Sequence, residues 1–109
     1  MQSSRAAIGN RKGTGMAYLK HYIMVAKAGQ ETALAEALDA LKIKVQPLEG
    51  CQDVLLLRDL DRPERFVFLE RWSSAEAHKA GGAVLGKGAL GAVMAALGEP
   101  PQAMSLSAD

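Results

Sequence analysis

The spacing of apolar positions changes along the chain, and each change marks an element. From Ala17 the stretch AYLKHYIMVAKAG is rich in β-branched and aromatic residues, with Tyr18, Tyr22 and Met24 on one alternating face and Leu19, Ile23 and Val25 on the other. Apolar groups on both faces predict a strand covered on both sides. The period then lengthens. Leu34, Leu38, Leu41 and Val45 recur at helical spacing among Glu36, Asp39, Lys42 and Lys44, which predicts an amphipathic helix ended by Pro47. Gly50 turns the chain into a second strand, CQDVLLLRD. The run from Asp59 to Glu64 has turn chemistry, and RFVFLERW is a third strand forming an antiparallel hairpin with the second. On this third strand Phe66, Phe68, Glu70 and Trp72 share one face, and Val67, Leu69 and Arg71 the other. Ser73-Ser74-Ala75-Glu76 reads as a capping box opening a helix that carries His78 and breaks at Gly81-Gly82. Leu90, Val93, Met94 and Leu97 predict a further helix, stopped at Gly98 ahead of Pro100-Pro101, and QAMSLS is a short last strand.

The order β-α-β-β-α-β is the ferredoxin-like pattern of the α+β class, an antiparallel sheet with helices on one face. A chain of 109 residues holds one core. We expect a single domain over 17–109, preceded by a flexible leader over 1–16, which is rich in Gly, Ser and basic residues and has no clean period; Met16 is an alternative start. Gly9, Gly13 and Gly15 are then linker glycines, because no strand precedes them as a dinucleotide fingerprint requires. Thirteen basic residues against twelve acidic leave no electrostatic footprint for nucleic acid or an anionic membrane. The longest apolar runs, such as Val54-Leu55-Leu56-Leu57, are too short to span a bilayer. The first fifteen residues lack the apolar core of a secretory signal, so a cytoplasmic protein is the default expectation. One cysteine, Cys51, rules out a disulfide within the chain.

The stretch GGAVLGKGALG, from Gly81 to Gly91, has the look of a phosphate loop. Such a loop needs a strand before it, a helix after it, and Ser or Thr following the lysine. Here a helix precedes the stretch and Gly88 follows Lys87, so no nucleotide is expected. The glycines are read instead as separating two helical segments and making a mobile flap.

With the elements placed, the chain resembles the antibiotic-biosynthesis-monooxygenase family of dimeric α+β barrels over about Leu19 to Leu106. The resemblance is carried by AKAGQE, by LEGCQDVLLLRDLDRPERFVFLERWSSAEA with its Glu-x-Trp-x-Ser junction, and by the closing strand. It implies a homodimer, and the residues agree: the sheet face turned from the helices carries large apolar groups, which a second sheet would cover. It also implies a cofactor-independent monooxygenase that oxidises a quinol-like or polycyclic phenolic substrate with O2. The alternative is a non-catalytic domain binding a small apolar ligand in the same pocket; a purely structural dimerisation domain would fill that pocket with its own side chains.

By the resemblance, Trp72 is the junction indole, able to line the pocket and donate through its N–H; its ordinary reading is packing between strand and helix. His78 stands where the polyketide-oxidising branch has a substrate-contacting tyrosine, and a histidine there suits a base near neutral pH. His21 and Tyr22 point to opposite faces of the first strand, so at most one faces the pocket; the resemblance implies Tyr22 by its family position, and His21 is then assigned to the seam between subunits. Glu70 shares the face of Phe68 and Trp72, either as a base among aromatics or, more ordinarily, in a salt bridge across the sheet or dimer. Phe68 replaces the branch's asparagine, which puts that branch's precise reaction in doubt. Gly81 and Tyr22 replace the second tryptophan and the asparagine of haem-degrading members, so haem degradation is not expected. Met24 and Met104 are read as core filler. Cys51 has no evident partner for nucleophilic work, and His21 with His78 makes a poor metal set. The sequence shows no fixed anion anchor.

Overall fold

A strand apolar on both faces belongs inside a sheet, and the computed structural model, which describes residues 17–108, places it there. The expected leader over 1–16 lies outside the described residues. Strand β1 (Ala17–Val25) leads through α1 (Glu31–Val45) to the hairpin β2 (Cys51–Arg58) and β3 (Arg65–Trp72). Helix α2 (Ala75–Leu85), a 3-10 turn (Lys87–Leu90), α3 (Gly91–Ala96) and β4 (Gln102–Ala108) complete the chain. The strands lie in the order β2-β3-β1-β4, every neighbouring pair antiparallel. This is the ferredoxin-like arrangement that the element order predicts.

Register decides which side chains meet. Tyr18 stands opposite Trp72, Lys20 opposite Glu70 and Tyr22 opposite Phe68, all on the helix-covered face. The predicted stripe of α1 is buried as expected: Leu34 and Leu38 are wholly enclosed and Leu41 and Val45 nearly so, against Met24, Val54, Phe66, Phe68 and Trp72. Each such side chain contributes roughly 1.5–3 kcal/mol of burial. Val93 and Ala96 of α3 join the same core.

Four local expectations are corrected. The cap of α2 is Ser74, not Ser73: its Oγ accepts from Ala77 N–H at 3.0 Å, so the third helical position is Ala77 and Glu76 has no reciprocal role. Helix α2 runs unbroken through Gly81-Gly82 and ends at Gly86, whose φ of +84° cannot continue the helix. Of the expected stripe Leu90, Val93, Met94 and Leu97, only Val93 and Leu97 are buried, because α3 spans just six residues. Met104 is 45% exposed rather than core, since its register partner His21 lies on the far face.

That far face is apolar. Leu55, Leu57, Met104 and Leu106 are each more than 40% exposed on it, and Leu19, Ile23, Val67 and Leu69 share it. Within it the Nδ1 of His21 is shielded from solvent without a hydrogen-bond partner.

Candidate functional site

The capped start of α2 sets His78 one turn into the helix, facing the sheet, where β1 and β3 present Tyr22, Glu70 and Trp72. His78 Nε2 lies 3.4 Å from the Tyr22 hydroxyl and 3.7 Å from Glu70 Oε1. The Trp72 indole N–H donates to the same Glu70 oxygen at 2.8 Å. The imidazole meets the Trp72 ring edge-on at 5.5 Å and the Tyr18 ring at a tilt at 5.6 Å. Four of the five residues singled out from the sequence therefore converge. Phe68, the fifth, is wholly buried beneath Tyr22, with ring centroids 6.4 Å apart, and supports the site from below.

Burial governs the charges. The Tyr22 phenol is held far above its usual range, first by desolvation and then by the negative charge of Glu70 and by Tyr18, so it stays protonated and has an O–H to donate to a neutral Nε2. His78 is pushed below its ordinary value by burial and then by Lys20, which favours the neutral ring; its Nε2 is an acceptor in the tautomer that carries the proton on Nδ1. Desolvation raises Glu70, while the Trp72 hydrogen bond and Lys20 act against it. Among the described residues Glu70 makes no salt bridge across the sheet: its register partner Lys20 turns instead to Ser105. A proton gained by His78 would complete an ion pair with Glu70 in a poorly solvated setting, where charge pairing is strong. Trp72 spends its N–H on Glu70 and is 2% exposed. Its ring is thus a wall of the site, and the donor role read from the sequence is directed inward.

Tyr22, Glu70, Trp72 and His78 border a cavity of about 170 Å³, closed on its other sides by Val45, Leu48, Leu85 and Leu90. A cavity of about 150 Å³ accommodates one benzene ring, so this one holds about one aromatic ring. Leu85, Gly86 and Leu90, which wall the cavity, fall within the Gly81–Gly91 stretch read as a flap, and the break between its helical segments lies at Gly86 rather than at Gly81-Gly82. A larger groove, about 730 Å³, runs along the outer side of α2 beside Glu49 and Glu76; no tyrosine, tryptophan or histidine reaches it, and we place the chemistry in the smaller cavity. Leu48 and Leu85 were not singled out from the sequence, and Leu90 only as a helix-stripe position, because their spacing carries only a packing signal.

Fold and site together define a small ferredoxin-like α+β protein with an aromatic, partly desolvated cavity between sheet and helices, a type that serves monooxygenase-like or small-ligand-binding roles. The family model for antibiotic biosynthesis monooxygenase matches residues 16–80, and the chain belongs to that family. The match takes in Tyr22, Glu70, Trp72 and His78 and stops short of the flap and β4. A Caulobacter crescentus protein named as a candidate antibiotic biosynthesis monooxygenase superposes with a TM-score of 0.75 at 18% identity, over 86% of this chain and 91% of its own. A Bordetella bronchiseptica protein named likewise gives 0.73 at 18% identity, over 84% and 96%. A Nitrosomonas europaea protein of unknown function gives 0.71 at 23% identity, over 84% and 88%. At these identities the likenesses bear on the fold. No curated protein matches the chain significantly. Among the described residues no helix is long and apolar enough to cross a membrane.

Proposed function

We propose that this protein is a cofactor-independent monooxygenase acting on a quinol-like or phenolic aromatic substrate. The observation that carries the reading is the neutral His78 Nε2 at the edge of a one-ring cavity, with Tyr22 as donor on one side and Glu70 behind. A substrate hydroxyl or acidic C–H that reaches Nε2 gives up its proton to His78. The new imidazolium is stabilised by Glu70, and the Tyr22 O–H is free to donate to the substrate anion. The electron-rich anion then reduces O2 directly. For an anthrone, the CH2 carbon becomes a carbonyl: one oxygen atom enters the product and the other leaves as water with the two hydrogens.

The far face of the sheet supports a homodimer in the same reading. Leu55, Leu57, Met104 and Leu106 form an exposed apolar surface with His21 at its centre, the position assigned to the subunit seam. The cavity also bears on the competing roles: a purely structural dimerisation domain would fill it, yet about 170 Å³ stays open. A non-catalytic ligand-binding domain would need the aromatic walls but no base.

Oxygen uptake by wild type and His78→Ala, with a panel of quinols, anthrones and naphthols, tests the reading. We expect uptake with one substrate class to fall by about 100-fold or more in the variant, the usual scale of a general base. Because burial and Lys20 lower the His78 pKa, wild-type activity is full at neutral pH and is lost on acidification below about 6.5, as the ring takes up a proton. Uptake no faster than autoxidation across the panel would transfer the protein to the ligand-binding class.

A further inference from the structure

The helix-covered side of the sheet is not covered everywhere. Every residue of β4 but the last is exposed, and register puts Ala103, Ser105 and Ser107 on the same side as Tyr22, Lys20 and Tyr18 respectively. Small side chains there make a shelf beside the cavity. On it Ser105 Oγ accepts from Lys20 Nζ at 2.8 Å and from the Tyr18 hydroxyl at 3.0 Å. A serine oxygen has two acceptor positions and one O–H. With both positions taken, the Ser105 proton points away from Lys20 and Tyr18, and Lys20 keeps two N–H donors unspent. Lys20 therefore sits across from Glu70 in register yet directs its charge to the open shelf.

We infer that Lys20 and Ser105, held together by Tyr18, form a subsite for the carboxylate of an aromatic acid whose reacting ring occupies the cavity at His78. The inference rests on the proposed reading of that cavity and names its substrate class. Two donors about one hydrogen-bond length apart match the two oxygens of a carboxylate, and charge-assisted donors favour an anion over a neutral group. Lys20 and Tyr22 are two residues apart on one face of β1, about 7 Å. Because Tyr18 touches both the His78 ring and Ser105, it ties the subsite to the base. A cavity that holds about one ring leaves the rest of a two-ring substrate to lie outward, and the shelf is the polar surface it would meet. The subsite also couples to the base. His78 faces Tyr18, Lys20 and Tyr22 from β1 and Glu70 and Trp72 from β3, with Glu76 and Lys79 on its own helix; of these, Lys20 is the charged group whose field opposes protonation of the ring. A bound carboxylate offsets that field and makes His78 a stronger base when substrate is present.

The test is calorimetric binding of 6-hydroxy-2-naphthoate and of 2-naphthol at pH 7.5, with wild type, Lys20→Met, Lys20→Arg and Ser105→Ala. We expect wild type to prefer the acid by about tenfold, the scale of one charge-assisted hydrogen bond. Lys20→Met should abolish that preference, Lys20→Arg should keep most of it, and Ser105→Ala should lose part. Titration of the His78 ring by NMR should move upward when 6-hydroxy-2-naphthoate binds wild type and stay put when the acid is added to Lys20→Met, a ligand-dependent shift that a merely structural lysine would not produce. Equal affinities in wild type, a preference surviving in Lys20→Met, or no binding of either compound would overturn the inference. Lys20-dependent binding of the acid without oxygen uptake would uphold the subsite and remove the oxygenase reading. Uptake with an uncharged quinol, together with equal affinities, would do the reverse.

Discussion

At Gly81 the missing side chain is the point: a Cβ there would lie 2.6 Å from Cη2 and 2.9 Å from Cζ3 of Trp72. The indole fills the space that a side chain would take, which lets α2 approach the sheet and keeps the Trp72 N–H on Glu70. Gly82, one residue on, has nothing within 4 Å of its Cβ position. The two adjacent glycines therefore answer oppositely to the same change. Gly81→Ala should lose about 1–3 kcal/mol to overpacking, whereas Gly82→Ala should gain about 0.5–1 kcal/mol of helix propensity. Urea unfolding of both variants measures the difference; a Gly81→Ala protein as stable as Gly82→Ala would mean that the indole does not depend on that gap. Sequence reading singled out Glu70 and Trp72 because strand alternation puts them on one face, and Tyr22 and His78 through the family resemblance; the fold brings all four together. That reading did not pair Tyr18 and Lys20, which obey the same alternation, because a half-buried tyrosine and lysine are ordinary until a serine from a distant strand is set between them.

At the scale of elements, the start of α2 fixes the height of His78 above the sheet. The Ser74 hydroxyl holds the Ala77 N–H, while Glu76 points to no backbone donor of the cap. Ser74→Ala should cost about 1 kcal/mol, and Glu76→Ala should stay within about 0.5 kcal/mol, the range of a surface change. Equal losses in thermal unfolding would restore the capping box read from the sequence. Two consecutive serines leave the choice of cap open by one residue, and only the path of the chain out of β3 decides it. The same holds for the helix end. Glycine pairs read as breakers, but intrahelical hydrogen bonds and contact with Trp72 carry α2 through Gly81-Gly82 to Gly86, where positive φ ends it.

At the scale of the whole molecule, one sheet face is covered by helices and the other is apolar and open. The proposed dimer predicts that wild type sediments at twice the chain mass at micromolar concentration. Leu55→Glu with Leu106→Glu should yield a monomer that keeps its far-ultraviolet circular dichroism, because both side chains lie more than 40% exposed on the far face. A wild-type monomer would sink the dimer and leave the apolar face in need of another partner.

The sequence alone determined the element order, the buried stripe of α1 and which residues share each strand face, since these follow from periods of 2 and 3.6 and from turn chemistry. The element order, taken together with the Glu70-Arg71-Trp72-Ser73-Ser74 junction, also carried the family resemblance that the match over residues 16–80 bears out. Only the tertiary structure decided that the Trp72 N–H turns to Glu70, that His78 takes Tyr22 and Glu70 as neighbours, and that Lys20 meets Ser105 across 85 residues of chain. Those contacts depend on strand register and on the depth at which α2 packs, and both are set by long-range closure of the core, which no local pattern encodes.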